Sequence, residues 1–446
     1  MKPPMHIAKE KDIADLGFTQ VAEEERQAAV LSKMAELQAS LRSLSTMLEN
    51  CTKCGNCAKQ CHSYLGTNDY YNVPAARAEL MRRIYKRYFT WAGRLFGRFA
   101  GAEDFDAETL SKWLTYFYQC NECRRCARFC PVGIDTAEVT IAARHILSEI
   151  GIMPKFMQGI AGNMAKTGNN MGIPNPAIVD CAEFMEEEMQ QETGLDIKIP
   201  IDKPNSDILY IPSSADFFTN IDTMIGAAKL FYQLGVNWTI STEILEAANF
   251  GLLFNLNVMR EHNERLKAAA AAVGAKLVIQ GECGHGWRAA KMYTEGSSGP
   301  VSFEIRHILD YCAEHLDKLP LQKLPMRVTL HDPCNYARAG GIIEQPRAIL
   351  RACVTEFVEM TPNKEDNFCC GGGSGILMDE MMEIRMQLGK KKAEQIAALG
   401  NLDYLAMPCS ICKAQIPPVM KHYGIDNLSM GGVMDLVGKA LRLAEK

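Results

Sequence analysis

Between residues 22 and 49 apolar side chains recur at three- and four-residue steps: Val30, Leu31, Met34, Leu37, Leu41, Leu44, Met47 and Leu48. That spacing places them on one face and predicts a helix over 22–49. The same period predicts helices over 75–99, 106–118 and 135–150. Strand patterns are almost absent from this half, so residues 1–165 read as an all-α domain. The stretch TGNNMGIPNPAIVD, residues 167–180, is rich in Gly, Asn and Pro. It predicts a linker, taken as 166–205.

From about residue 205 the pattern changes. Short apolar, partly β-branched runs at 207–214, 237–242 and 276–283 predict strands, with helical periods at 222–234 and 256–273 between them. Runs at 327–334, 354–360 and 403–409 repeat the scheme, with helices at 345–353 and 376–398. Alternating strands and helices predict parallel α/β sheets. The fold class is therefore α+β multidomain: a helical domain, then two α/β repeats at 206–320 and 321–446.

The two repeats align almost in register. IPS at 211–213 matches DPC at 332–334, and GEC at 281–283 matches MPC at 407–409. EAANFG at 246–251 falls where NFCCGG at 367–372 falls. Ser213 then stands for Cys334, Cys283 for Cys409 and Gly286 for Cys412. The first unit keeps one cysteine where the second has five, which gene duplication followed by loss of one site explains.

Composition narrows the chemistry. The 446 residues are too many for one core, and 47% are apolar, as in ordinary globular proteins. A net charge of −5 argues against nucleic acid as a partner. Seventeen cysteines would suit a disulfide framework in a secreted protein, but MKPPMHIAKEKDIADLGF has no apolar signal-peptide core. No apolar run approaches the roughly 18–20 residues that span a bilayer.

Eight cysteines fall in two identical C-x2-C-x2-C-x3-C runs: Cys51, Cys54, Cys57, Cys61, and Cys120, Cys123, Cys126, Cys130. Three thiolates at i, i+3 and i+6 can wrap three corners of one cube, and the fourth is directed to the other cluster, as in two-cluster ferredoxins. Cys51, Cys54, Cys57 and Cys130 are thus assigned to one [4Fe–4S] cluster, and Cys120, Cys123, Cys126 and Cys61 to a second. Only the second run is followed by proline, Pro131; the first is followed by His62. Zinc prefers two C-x2-C knuckles separated by a longer loop.

A third set is dispersed: Cys334, Cys369-Cys370 and Cys409-x-x-Cys412. Adjacent thiolates fit a regular cube poorly and point to an irregular cluster. GGGSG at 371–375 lets backbone crowd a metal. The same glycines lack the G-x-G-x-x-G and P-loop patterns of phosphate binders.

The pattern Cys334…Cys369-Cys370-Gly371…Cys409-x-x-Cys412 resembles the CCG domain of heterodisulfide reductases, and the two upstream runs match the ferredoxin half of that family's HdrD-type proteins. Stretches such as QCNECRRCARFCPVGIDTAE, GNNMGIPNPA, GECGHGWR and FCCGGGSG resemble, more narrowly, the DsrK-type component of the sulfite-reduction-associated Dsr membrane complex; the Tmc complex has a similar sibling. The resemblance implies that the five dispersed cysteines hold a noncubane [4Fe–4S] cluster. It implies a component on the cytoplasmic face of the inner membrane, peripheral through its partners: a membrane cytochrome b subunit and other subunits of a Dsr-like complex. Electrons would run from quinol through haem and the two cubes to the noncubane site. There a disulfide or trisulfide of a small DsrC-like sulfur-carrier protein would be reduced or formed. The rival expectation is a pure electron relay, as in a Tmc-type complex or a glycolate/lactate-type dehydrogenase.

Three further features carry chemistry. Cys283 and His285, in GECGHGWR of the degenerate repeat, are expected to face the third site, Cys283 touching the sulfur substrate or adding a ligand and His285 supplying a proton. His331-Asp332 precedes Cys334 as either an acid/base pair or strand-end packing. RRIYKRYFTWAGRLFGRF, 82–99, interleaves basic and aromatic residues, as does a helix lying against a membrane partner or anionic headgroups, or one using its aromatics as core and Arg/Lys as its solvated face.

Overall fold

A computed structural model describes residues 4–444. The chain divides into two compact units: residues up to Gly159 with Leu252–Leu256 and Phe368–Lys392, and the remainder.

The first unit is helical. The apolar period of 22–49 is present, but it is carried by two helices, Arg26–Ser40 and Arg42–Glu49, because Leu41 leaves helical backbone at φ −109° and ψ 82°. The Ser40 hydroxyl donates back to the carbonyls of Glu36 and Leu37, a local bond that competes with helix continuation. The 75–99 segment likewise breaks at Thr90, between Pro74–Phe89 and Trp91–Phe96. Thr90 Oγ1 accepts from the Gly93 N–H and so starts the second piece. Helices Ala107–Tyr118 and Thr136–Glu149 are capped by Asp106 and Asp135, whose carboxylates accept from the N–H groups of Thr109 and Ala137. Thr136–Glu149 packs against Arg26–Ser40, Arg42–Glu49, Pro74–Phe89 and Ala107–Tyr118, and is buried along nearly its whole length.

The second unit holds two four-stranded parallel sheets. One contains β1 (Ile208–Ile211), β2 (Trp238–Thr239), β3 (Leu277–Gln280) and β4 (Glu304–His307) in the order β2-β1-β3-β4. The other contains β5 (Leu324–Leu330), β6 (Val354–Val358), β7 (Tyr404–Ala406) and β8 (Ser429–Gly431) in the order β6-β5-β7-β8. The orders are identical, as expected of a duplicated unit. Each sheet reverses winding at its central pair, where open α/β sheets hold ligands at the carboxyl ends of the strands. Two helix pairs join the repeats with pseudo-twofold logic: the helix after β1 (Ile221–Leu234) meets the one after β8 (Val433–Ala440), and Ile308–Glu314 after β4 meets Glu344–Cys353 after β5. Gly226 is needed at the first pair, where a Cβ would lie 2.0 Å from the Met434 carbonyl oxygen. A buried ion-pair cluster reinforces the join. Lys413 reaches Asp216 at 3.1 Å and Glu282 at 2.9 Å, and Glu282 accepts from the backbone N–H groups of Val433 and Met434.

Two expectations change. The segment 166–205 is not an extended linker: it contains a helix, Asn175–Thr193, whose Ile178, Ala182, Met185 and Met189 enter the core shared by both repeats. Pro174 and Pro176 flank its first residue, a place where helices tolerate proline. Residues 368–392, lying between β6 and β7 in sequence, group with the helical unit.

That grouping rests on Arg144, fully buried on helix Thr136–Glu149. Its guanidinium donates to the carbonyls of Phe117, Cys120, Leu253 and Ser374 and to the Ser374 hydroxyl, lies over the Tyr118 ring and pairs with Glu122 at 3.2 Å. Replacing a buried charge centre of this kind costs about 3–5 kcal/mol. Arg144→Met should therefore lower the denaturant midpoint of the helical unit, with Arg144→Lys intermediate. An unchanged midpoint would show that the three segments are held by something else.

Candidate iron–sulfur centres

The two cysteine runs fold into the same backbone shape. In the first, Lys53 and Gly55 have φ of 55° and 79°; in the second, Glu122 and Arg124, at the equivalent positions, have 49° and 60°. Left-handed residues at alternate positions curl each loop so that its three thiols turn inward. One cavity is lined by Cys51, Cys54, Cys57 and Cys130, with Pro74, Ala78, Val132 and Ile134 as apolar wall. Another is lined by Cys61, Cys120, Cys123 and Cys126. The second thus gathers three cysteines of its run and the last of the other, and the first gathers three of its own run with Cys126 and Cys130 of the other. Cys126 lines both, so the two sites adjoin.

The donor sets fit iron–sulfur clusters. The first offers five thiols and no carboxylate, the second four thiols beside the Glu122 carboxylate. Burial pushes the thiols of Cys57 and Cys126 up, and that of Cys61 up against the opposing pull of Arg77. Such thiols favour the anionic form only when a metal takes the sulfur. Buried cations stand by: Arg82 lines the first cavity, and Arg77 and Arg125 the second.

The Cys369-Cys370 loop packs on the second of these sites, within the helical unit. Arg125 stacks under Phe368 with its guanidinium carbon 4.1 Å from the ring centre. Asn121 Nδ2 donates to the Gly373 carbonyl at 2.9 Å, and Asn121 Oδ1 lies 2.7 Å from His62 Nε2. His62 Nδ1 lies 3.8 Å from Cys123 Sγ. His62, Cys123 and Cys369 bring their ligating atoms within 4.8 Å of one another. The N–H groups of Gly371 and Gly372 point at the sulfurs of Cys369 and Cys370. Gly371 sits at φ 87°, where a Cβ would lie 2.8 Å from the Gly389 nitrogen, so only glycine allows this turn.

In the second unit, Cys334 follows β5, and Cys409 and Cys412 follow β7, at the reversal point of that sheet. His331 Nε2 lies 3.2 Å from Cys412 Sγ. Asp332 is gripped by Arg347 through two bonds of 2.7 and 2.8 Å and accepts from the Lys364 N–H, which makes it a strand-end anchor.

The degenerate repeat brings its remnant to the same place. The Gly284 N–H donates to Cys409 Sγ at 3.4 Å, and a Cβ on Gly284 would lie 3.3 Å from that sulfur. Cys283 is buried and caps helix Gly284–Ser298, its sulfur accepting from the Gly286 N–H at 3.3 Å. Burial, then the charges of Glu246 and Cys409, push its thiol well above the ordinary range. Burial also raises the Glu246 carboxyl, to about 7. Cys283 is thus held as a neutral thiol. His285 is buried on the first turn of the same helix.

Comparison with known proteins agrees with this arrangement. Residues 47–134 match the 4Fe-4S dicluster domain family, and residues 328–417 match the Cysteine-rich domain family known as CCG. The chain is 33% identical to the "Hdr-like menaquinol oxidoreductase iron-sulfur subunit" of Archaeoglobus profundus, over 93% of its own length and 83% of that protein. It is 34% identical to "Hdr-like menaquinol oxidoreductase iron-sulfur subunit 2" of Archaeoglobus fulgidus, covering 92% and 82%. It is 24% identical to the HdrD component of the "Dihydromethanophenazine:CoB--CoM heterodisulfide reductase" of Methanosarcina barkeri, covering 89% and 95%. The chain belongs to the HdrD-like family of heterodisulfide reductase proteins. This HdrD-like protein is an iron–sulfur oxidoreductase component of the heterodisulfide reductase type.

Sequence reasoning passed over His62, Asn121 and Arg144 in the HdrD-like chain. The one available sign was His62 itself, standing where proline is usual. The crossed ligation has a direct test. Cys130→Ser should perturb the same cluster signal as Cys54→Ser, and Cys61→Ser the same as Cys123→Ser, read by EPR of the reduced protein. If Cys130→Ser instead matched Cys123→Ser, each run would hold its own cluster.

Proposed function

We propose that this chain is the cytoplasmic iron–sulfur subunit of a membrane-bound redox complex related to the Dsr assembly, receiving electrons from a cytochrome b or quinol partner. Cys51, Cys54, Cys57 and Cys130 would hold one [4Fe–4S] cube, and Cys120, Cys123, Cys126 and Cys61 a second. Cys334, Cys369, Cys370, Cys409 and Cys412 would hold a noncubane [4Fe–4S] cluster. When bound, these clusters supply one-electron transfer and, at the third site, affinity for substrate sulfur. The substrate is a disulfide or trisulfide on a small DsrC-like sulfur carrier. Splitting a disulfide takes two electrons and two protons and yields two thiols; the reverse forms it.

One observation carries the reading. A cysteine of the CCG motif, Cys369, stands beside Cys123 of the second ferredoxin-type run, with His62 between them. This supports direct communication between the second cube and the third set. The names of the relatives, which include menaquinol oxidoreductases and a heterodisulfide reductase, support the quinol side and the disulfide side respectively.

The chain's own groups have definable tasks in this scheme. His62 fixes Asn121, which fixes the cysteine-pair loop. Arg347 holds Asp332 and so the strand end that presents Cys334. Cys283, kept neutral by burial, is proposed to meet the substrate sulfur as a proton-bearing thiol, and His285 to assist as a proton source.

The purified chain should contain about 12 iron atoms, from three four-iron clusters. Cys409→Ala should remove roughly a third of that iron and abolish disulfide turnover with both cube signals intact. Retention of all iron would sink the third-site assignment; loss of iron without loss of turnover would make the chain a pure relay. Cys283→Ser should keep full iron while turnover falls about tenfold or more, as for loss of a positioned proton donor. Full turnover in that variant would leave Cys283 as a packing residue.

A further inference from the structure

We propose that residues 91–99 seat this protein directly in the headgroup region of a lipid bilayer bearing anionic lipids. The inference rests on the reading that the chain works at a membrane, and it names the surface that touches it.

The segment is an excursion from the helical unit, closed at its base. Helix Pro74–Phe89 stops at Thr90; the helix Trp91–Phe96 packs back on its end, with Gly93 buried against the Lys86 carbonyl, and after the turn Gly97–Ala100 the chain returns where the Glu103 N–H donates to the Arg83 carbonyl at 3.2 Å. Arg83 pairs with Glu103, Arg87 pairs with Asp104 at 2.7 Å, and Lys86 Nζ donates to the Ala100 carbonyl at 3.2 Å. The base is thus braced, and Ala102 within it is buried.

The tip is the opposite of a folded surface. Trp91 is 75% exposed, Leu95 70%, Phe96 51% and Phe99 100%. Trp91 and Phe96 rest edge to face, 6.3 Å between ring centres, which keeps the pair splayed outward. Four large apolar side chains within nine residues form a contiguous patch of the kind that marks an interaction site.

Charge selects the occupant. The nearby carboxylates are engaged: Glu103 and Asp104 as above, Glu108 with Lys112 at 2.8 Å, and Asp106 as a helix cap. Lys86, Arg94 and Arg98 make no ion pair among the described residues, and Arg94 and Arg98 are exposed. The tip therefore offers aromatics flanked by the exposed cations Arg94 and Arg98, the latter within electrostatic reach of Asp104, an arrangement complementary to an interface of acyl chains and anionic headgroups. A stable protein interface needs roughly 20–30 residues a side. A nine-residue projection falls well short of that, whereas a few aromatic and aliphatic side chains suffice for interfacial insertion.

The full, cluster-loaded chain should co-float with protein-free vesicles of equal parts phosphatidylglycerol and phosphatidylcholine at low salt, and less well with phosphatidylcholine alone. Trp91→Ser with Phe99→Ser should lower partitioning about tenfold or more on both compositions. Arg94→Gln with Arg98→Gln should lower it about tenfold or more on the anionic vesicles only. Trp91 is the one exposed tryptophan of four, so vesicles should shield the wild-type emission from aqueous quencher. Unchanged absorbance of the iron–sulfur chromophore would show that the variants are folded. The proposal fails if the wild type does not float, or if both variants float as it does. It also fails if flotation requires a membrane protein in the vesicles; that outcome would leave the membrane reading standing and make the tip a protein contact.

Discussion

A single guanidinium that must be satisfied away from water fixes how the cysteines of the helical unit are arranged. Arg144 is fully buried, and its donors find carbonyl oxygens in segments far apart in sequence: Phe117 and Cys120, Leu253, and Ser374. A charge so placed is tolerable only when every donor has a partner. Those partners exist only when the second cysteine loop and the Cys369-Cys370 loop both lie against helix Thr136–Glu149. The chain thus takes residues 368–392 out of an α/β repeat and joins them to the ferredoxin-like helices. The Asn121 bond to Gly373 and the stacking of Arg125 on Phe368 then refine a placement that Arg144 imposes.

The second unit works by a different constraint, the geometry of parallel sheets. Both sheets reverse winding between their central strands, so both open a crevice at the carboxyl ends of those strands. The second repeat fills its crevice with Cys334, Cys409 and Cys412. The first repeat supplies backbone there: a Cβ on Gly284 would lie 3.3 Å from Cys409 Sγ, a tight contact, and the Gly284 N–H points at the sulfur. N–H groups directed at cluster sulfurs are among the protein's means of setting a potential. The first repeat thus contributes a backbone donor to a cysteine of the second.

Much of this was legible in the residues. The two cysteine runs and the passage from a helical half to alternating strands and helices are legible from spacing and period. The edge strands are not: β4 carries Glu304 and Arg306 on a largely accessible edge, and β8 is the three residues Ser-Met-Gly, so neither shows an apolar run. Helix Asn175–Thr193 was hidden by its Asn-Pro start and its Glu186-Glu187-Glu188 outer face, although Ile178, Ala182, Met185 and Met189 keep helical spacing. The helix breaks at Leu41 and Thr90 coincide with local hydrogen bonds between the Ser40 and Thr90 hydroxyls and nearby backbone, which leave no trace in periodicity. Least legible was Arg144, since nothing in a local pattern distinguishes an arginine that gathers distant carbonyls from one on a solvated face.

Exposure orders the centres of the helical unit. In the first run Cys54 is exposed and Cys51 and Cys57 are half-buried, while Cys61 and Cys120 of the second site are buried. Cys126 lines both cavities, and Cys369 stands next to Cys123. The three sets adjoin in order: the first, with its exposed Cys54, meets the second through Cys126, and the second meets the cysteine pair through Cys123. Burial pushes up the thiols of Cys57, Cys61 and Cys126, with Arg77 opposing it at Cys61; Arg82 lines the first cavity, and Arg77 and Arg125 the second. The order runs from a set with an exposed thiol, Cys54, to a pair, Cys369 and Cys370, that is buried.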